Sequence, residues 1–142
     1  MSCFKVRNIK KLLLPDTLLM AVVKANAYGH GMVQVARTAL GAGADYLGVA
    51  TLDEAVALRE NNIQAPVLVL GYVPVEFFAE ALEKNIDLTI YNLESAQALS
   101  AIARKQQQTA AVHLKVDSGM GRIGFQPGEE SLAIVEEIYN LP

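Results

Sequence analysis

The chain has 142 residues, 52% hydrophobic and 19% charged, with a formal net charge of -3; this fits a soluble globular protein with a sizeable core and excludes a disordered chain. No Lys/Arg block extends beyond Lys10 and Lys11, so the chain carries no electrostatic footprint for nucleic acid or an acidic membrane surface, and a small-molecule ligand is expected. The single cysteine, Cys3, excludes an internal disulfide framework and a multi-cysteine metal site, and suits the cytoplasm.

The first apolar run, Leu12 to Leu14, is ended by Pro15 and is too short for a signal peptide or a membrane span. A helical turn or two is expected around Asn8 to Leu14. The first strand is predicted at Leu19 to Ala25, with Met20, Val22, Lys24 and Asn26 on one face and Leu19, Ala21, Val23 and Ala25 on the other. After the Gly29/Gly31 turn, Met32, Val35, Ala36, Ala39 and Leu40 form one helical stripe, stopped by Gly41 and Gly43.

A second strand is predicted at Tyr46 to Ala50. Thr51 and Glu54 then stand at capping-box spacing and open a helix to about Asn61. Pro66 starts a third strand, PVLVLGY, and Pro74 a helix with Val75, Phe78, Ala79 and Leu82 on its apolar side. The fourth strand, Asp87 to Tyr91, leads through the cap residue Asn92 into a helix carrying Ala96, Leu99, Ile102 and Ala103. A fifth strand covers Ala111 to Asp117. The last helix begins near Pro127 and Gly128, with Glu129 and Glu130 at the positive end of its dipole, and is expected to bury Leu132, Val135, Ile138 and Tyr139.

Strand starts therefore recur every 20 to 27 residues with no linker between them. Such alternation implies a parallel sheet with right-handed crossovers, either an open doubly wound sheet or a (β/α)₈ barrel. A complete barrel takes about 250 residues and eight units, and five units are present here.

Two stretches carry chemistry. In AVVKANAYGHG, Lys24 stands at the carboxyl end of a buried strand, where a cation is costly unless chemistry or a partner uses it; a surface Lys where the strand meets solvent is the other reading. In the fifth strand His113, Lys115 and Asp117 share a face, which suits a functional barrel interior or an edge strand wetted on one side. The loop SGMGRIG follows, with glycines that let backbone N–H groups approach an anion and Arg122 to clamp a carboxylate or phosphate. It matches neither GxGxxG nor the phosphate loop. His30 shapes its turn, and neither His30 nor His113 has partners at metal-ligand spacing, so no metal is expected. Nothing resembles a nucleophile elbow.

AVVKANAYGHG resembles the cofactor-binding signature of the alanine racemases, pyridoxal 5'-phosphate enzymes built on a TIM-like barrel. VHLKVDSGMGRIG resembles a second block of that family, and YLGVATLDEAVALRE and PVLVLGY are similar to its intervening units. The resemblance runs from Asn8 onward. It implies an α/β fold of parallel (β/α) repeats, about five of the eight units of a TIM-like barrel, without the family's carboxyl-terminal β-domain. Residues 1–142 would then be an incomplete amino-terminal, cofactor-binding barrel domain.

The resemblance makes Lys24 the lysine that forms a Schiff base with the pyridoxal aldehyde, and the base on the D face of the substrate Cα. It makes Tyr28 a phosphate partner, places Arg122 near the pyridine 3-oxygen and the substrate carboxylate, and turns the Met120 N–H toward that carboxylate. Lys115 falls where many members carry a carbamylated lysine that holds this arginine. Schiff-base chemistry needs a neutral amine, which desolvation and neighbouring positive charge favour.

The implied function is interconversion of L- and D-alanine for peptidoglycan, by a homodimer when complete. The family's second base, a tyrosine from the partner subunit, lies in parts this sequence does not contain. The isolated chain is thus expected to be inactive, or to be a non-catalytic chain or one half of a split enzyme that needs a complementing polypeptide. Serine racemases and broad-specificity relatives share both blocks, so substrate choice stays open.

Overall fold

The computed structural model describes residues 3–142. They form two compact units, one closing at Gly71 and the other running Tyr72–Pro142. In the first, α1 (Cys3–Leu12) is followed by β1 (Met20–Val22), the short helical segment α2 (Lys24–Tyr28), α3 (Met32–Gly41), β2 (Tyr46–Val49), α4 (Leu52–Glu60) and β3 (Val67–Val69). The second holds a 3-10 turn (Val75–Phe77), α5 (Phe78–Glu83), β4 (Asp87–Ile90), α6 (Leu93–Gln106), β5 (Val112–Leu114) and α7 (Glu129–Tyr139).

Within each unit the strands pair in parallel in chain order, β1 with β2 and β2 with β3 in the first, β4 with β5 in the second. Neither unit contains the reversal of strand order that makes the switch point of a doubly wound sheet. The architecture is α/β, built of parallel βα repeats of the barrel kind. In the first unit Leu47, Val49, Val67 and Val69 are fully buried, as is Leu58 of α4, the helix that packs on β2 and β3. Parallel strands buried on both faces read as such continuous apolar runs.

The crossovers follow from their caps. The Thr51 hydroxyl accepts from the Glu54 N–H at 3.4 Å and starts α4. The Asn92 side chain accepts from the Ser95 N–H at 2.8 Å and starts α6. Asp45 accepts the Leu19 N–H at 2.7 Å and pairs with Lys10, which fastens the end of α1 to the entry of β1. Bonding to Lys10 and then to Leu19 holds the Asp45 carboxyl below the ordinary carboxylate range.

Several expectations need correction. The first helix starts at Cys3 and ends at Leu12, earlier than the Asn8–Leu14 turn expected. The strands are shorter than predicted, and β1 stops at Val22 because the backbone leaves the extended region at Val23 (φ -117°, ψ 13°). After Pro74 the chain makes a 3-10 turn before α5, which rotates the buried face to Phe78, Ala81 and Leu82 and leaves Val75 exposed. The last helix buries none of its residues, with Leu132 63% and Tyr139 87% exposed. α7 packs on α6 along one side, where Ile138, Leu99 and Val112 help to line a cavity of about 260 Å³. Among the described residues nothing covers its other side.

Candidate active site

Lys24 stands two residues beyond β1, half-buried, at the head of a turn of unusual hand. Ala25, Asn26, Ala27 and Tyr28 all have φ between 51° and 55°, and Gly29 closes the turn at φ 87°. Four consecutive L residues thus take the left-handed helical conformation, which costs about 1–2 kcal/mol each. Strain of this kind persists only where surrounding contacts over-determine it, and it gathers at functional sites.

Those contacts are identifiable. The Ala27 N–H donates to the Val23 carbonyl at 2.8 Å, and the Asn26 carbonyl accepts from Gly29 at 3.1 Å and Gly31 at 3.0 Å. The Asn26 side-chain oxygen takes the Met32 N–H at 2.8 Å and so caps α3. Glu54 accepts the Ala25 N–H at 2.6 Å. With Ala27 buried beneath the turn, net gains of about 0.5–1.5 kcal/mol per hydrogen bond are on the scale of the strain. Among the described residues no carboxylate pairs with Lys24. Tyr28, at the far end of the turn, is 66% exposed.

The second group of predicted residues follows β5. The Lys115 N–H donates to the Ile90 carbonyl at 2.8 Å, and Lys115 is half-buried. Asp117 is buried, and one of its carboxylate oxygens accepts three backbone N–H groups: Gly119 at 3.0 Å, Met120 at 2.8 Å and Gly121 at 3.0 Å. These bonds, those from Gly121 and Gly119 foremost, hold its carboxyl below the ordinary carboxylate range. The loop closes where Phe125 returns beside the strand end, its N–H on the Lys115 carbonyl at 2.7 Å and its carbonyl taking the Asp117 N–H at 2.9 Å.

That return passes close by Gly124, at φ 137°, where an added Cβ would lie 2.6 Å from the Asp117 nitrogen. Gly124→Ala is expected to destabilise the second unit by more than about 2 kcal/mol, read as a lower thermal midpoint. Met120 and Arg122 are exposed on the loop, and the Arg122 Nε donates to the Met120 sulfur at 3.1 Å.

The predicted residues therefore fall into two sets, Lys24 with Tyr28 on one turn, and Lys115, Met120 and Arg122 along one strand end and its loop. Each set lies at the carboxyl end of a parallel strand, where α/β folds gather ligand contacts. The glycine-rich loop differs from its reading as an open anion cradle, because the Met120 N–H is already directed at Asp117. The shared face of His113, Lys115 and Asp117 is likewise divided. Asp117 turns to its own loop, whereas His113 is exposed and its charge partly offsets the effect of burial, which raises the Asp87 carboxyl.

Sequence reasoning missed the left-handed turn and the reach of Glu54. The Asn and Gly residues of NAYGHG signal a turn, but alanines at positive φ carry no such signal. Glu54 reads in sequence as a helix cap. Among the described residues no group of three or more His, Cys, Asp or Glu is gathered for a metal ion, and no helix is long and apolar enough to cross a membrane.

Comparison with known proteins adds a common origin. The family described as "Alanine racemase, N-terminal domain" matches residues 4–142. The alanine racemase of Desulforamulus reducens is 50% identical over 136 residues, covering 96% of this chain and 37% of that protein. The solved alanine racemase of Clostridium difficile 630 superposes with a TM-score of 0.94 at 46% identity, over 98% of this chain and 37% of that one. A histidine racemase from Leuconostoc mesenteroides superposes at 0.84 with 35% identity, over 99% of this chain and 39% of its own. The chain thus spans little more than a third of the length of the relatives it matches, and it belongs to the alanine racemase family, in the region of that family's N-terminal domain.

Proposed function

We propose that this chain is the amino-terminal, cofactor-binding barrel portion of a cytoplasmic amino-acid racemase that interconverts L- and D-alanine with pyridoxal 5'-phosphate. One observation carries the reading: a half-buried lysine at the carboxyl end of β1, heading a strained turn and lacking a carboxylate partner among the described residues. An amine so placed, with a tyrosine hydroxyl at the other end of the same turn, fits a group that carries an aldehyde and a phosphate.

When bound, pyridoxal phosphate would supply an electron sink for the charge left on Cα. The chain's own residues do the rest. Lys24 would hold the group through its amine and move a proton at Cα on the D face. Tyr28 would donate its hydroxyl to the phosphate. Arg122 would take the substrate carboxylate, its planar fork matching the two oxygens. The Met120 N–H joins that contact only by leaving Asp117. Lys115 takes the place of the carbamylated lysine, and a carbamate there would turn a half-buried cation into an anion able to hold Arg122.

Racemisation needs bases on both faces of Cα, and the second is assigned to the partner subunit of a homodimer formed by the whole enzyme. Purified 142-residue chain is accordingly expected to convert L-alanine to D-alanine at a negligible rate; measurable turnover overturns that assignment. Incubation with pyridoxal phosphate, borohydride reduction and peptide mapping should put the label on Lys24. Label on another lysine, or on none, rejects the cofactor reading.

Alanine is the substrate in the names of most relatives, yet the histidine racemase shares this portion at 35% identity. We therefore place the choice of substrate side chain elsewhere in the whole enzyme. The exposed apolar residues of the second unit, Val116 and Leu132 among them, favour a second reading, one half of a split enzyme whose complementing polypeptide covers them. Turnover restored by adding that polypeptide separates this reading from an inert chain.

A further inference from the structure

Glu54, in the first turn of α4, does not do what its position prescribes. In a capping box the glutamate three residues past the cap returns its carboxylate to the cap residue's own N–H, here that of Thr51. Glu54 instead gives one oxygen to the Ala50 N–H at 2.7 Å and the other to the Ala25 N–H at 2.6 Å, 29 residues away in sequence. Its own N–H still rests on the Thr51 hydroxyl at 3.4 Å, so the helix keeps half its cap and lends the other half to the segments that follow β1 and β2.

The Ala25 amide needs such a partner. The first N–H groups of any helical turn, left-handed ones included, have no acceptor within the turn. The two peptide groups that flank the Lys24 Cα are then both held: the Val23 carbonyl by the Ala27 N–H at 2.8 Å, and the Ala25 N–H by Glu54. One residue earlier, the Val23 N–H is tied to the Gly48 carbonyl of β2 at 2.8 Å. The direction in which Lys24 leaves the backbone therefore depends on a carboxylate that forms no ion pair with the amine.

We propose that Glu54 is a positioning residue for Lys24: its carboxylate, bridging the Ala25 and Ala50 amides, holds the left-handed turn in the one setting that presents the lysine amine. The proposal rests on the reading of Lys24 as the cofactor lysine and adds to it a residue that acts only through the backbone. A cap alone would stabilise α4 and leave the reactivity of Lys24 unchanged. A clamp ties that reactivity to the second bond, the one to Ala25.

The test compares the 142-residue chain with Glu54→Ala and Glu54→Gln. Lysine labelling by pyridoxal phosphate and borohydride is read for each lysine, together with hydrogen exchange at the Ala25 and Ala50 amides. Glu54→Ala should slow labelling of Lys24 about tenfold, the scale of losing a charge-assisted hydrogen bond, and speed exchange at both amides, with labelling of the other lysines unchanged. Glu54→Gln keeps one acceptor oxygen and should restore part of the Lys24 labelling.

Labelling of Lys24 at the parent rate in Glu54→Ala overturns the proposal. If Glu54→Ala does not fold, the same comparison in Glu54→Gln decides, since that variant keeps size and one bond. Absence of label on Lys24 in the parent chain would count against the cofactor reading alone. Reductive methylation with formaldehyde then reads the same amine without the cofactor, and an unchanged Lys24 rate in the variants rejects the clamp.

Discussion

Lys24→Arg should abolish capture of pyridoxal phosphate by the chain, lowering borohydride-stable label on the tryptic map to background, a loss of about a hundredfold or more, while far-UV dichroism stays at the parent value. Arginine keeps the positive charge and most of the length, but its guanidinium stays protonated and cannot condense with an aldehyde. The side chain is half-buried and unpaired by any carboxylate among the described residues, so no ion pair is broken and the fold has little reason to respond. Label that persists at the parent level, carried by Lys115 or another amine, would remove Lys24 from the site. The control is Lys115→Arg, which should leave the label on Lys24 in place.

Asp117→Ala should release the loop after β5. Three amides, Gly119, Met120 and Gly121, converge on one carboxylate oxygen, and removing that oxygen leaves them to solvent. Hydrogen exchange at these amides should accelerate by about tenfold or more, with amides of β4 unchanged. The same loss should be reached in the parent chain by acid.

Because the folded state holds the Asp117 carboxyl below its ordinary range, the stability it adds is complete above that range, from about pH 4 upward, and falls away as the pH drops through the lowered value. Asp117→Asn, which keeps one acceptor oxygen but no charge, should show partial protection with no such acid dependence. Equal protection in the parent chain and Asp117→Ala at neutral pH would mean that the loop is held by Phe125 and its strand contacts alone.

The repeat of strand and helix was legible because each unit declares itself locally. Thr51 and Asn92 sit at cap positions and do cap, and the apolar runs at Tyr46 and Pro66 are too short for helices. Lys24, Tyr28, Lys115, Met120 and Arg122 were named through the two motifs that resemble the alanine racemases, and the structure sets them on one turn and on one strand end with its loop. What sequence could not give was hand and partner. Ala25 and Ala27 have no intrinsic reason to be left-handed; their conformation is imposed by Asn26, Glu54 and Val23. Glu54 stands at the capping-box position read for it, but its carboxylate goes to Ala50 and to Ala25, the latter 29 residues away and beyond what local spacing can show. The face of α7 failed for a related reason: periodicity marks an apolar stripe, but burial requires something to lie against it, and Leu132 and Tyr139 face solvent.

The turn from Ala25 to Tyr28 has one more consequence. An L chain coils to the right because its β-carbons collide with the following carbonyl when it coils to the left; for a residue of D configuration the preference reverses. At Ala25, exposed and at φ 51°, the backbone of this protein follows the path that its mirror-image monomer would choose. A chain proposed to be part of an enzyme that makes and unmakes D-alanine thus bends, beside its proposed cofactor lysine, in the shape that D-alanine favours.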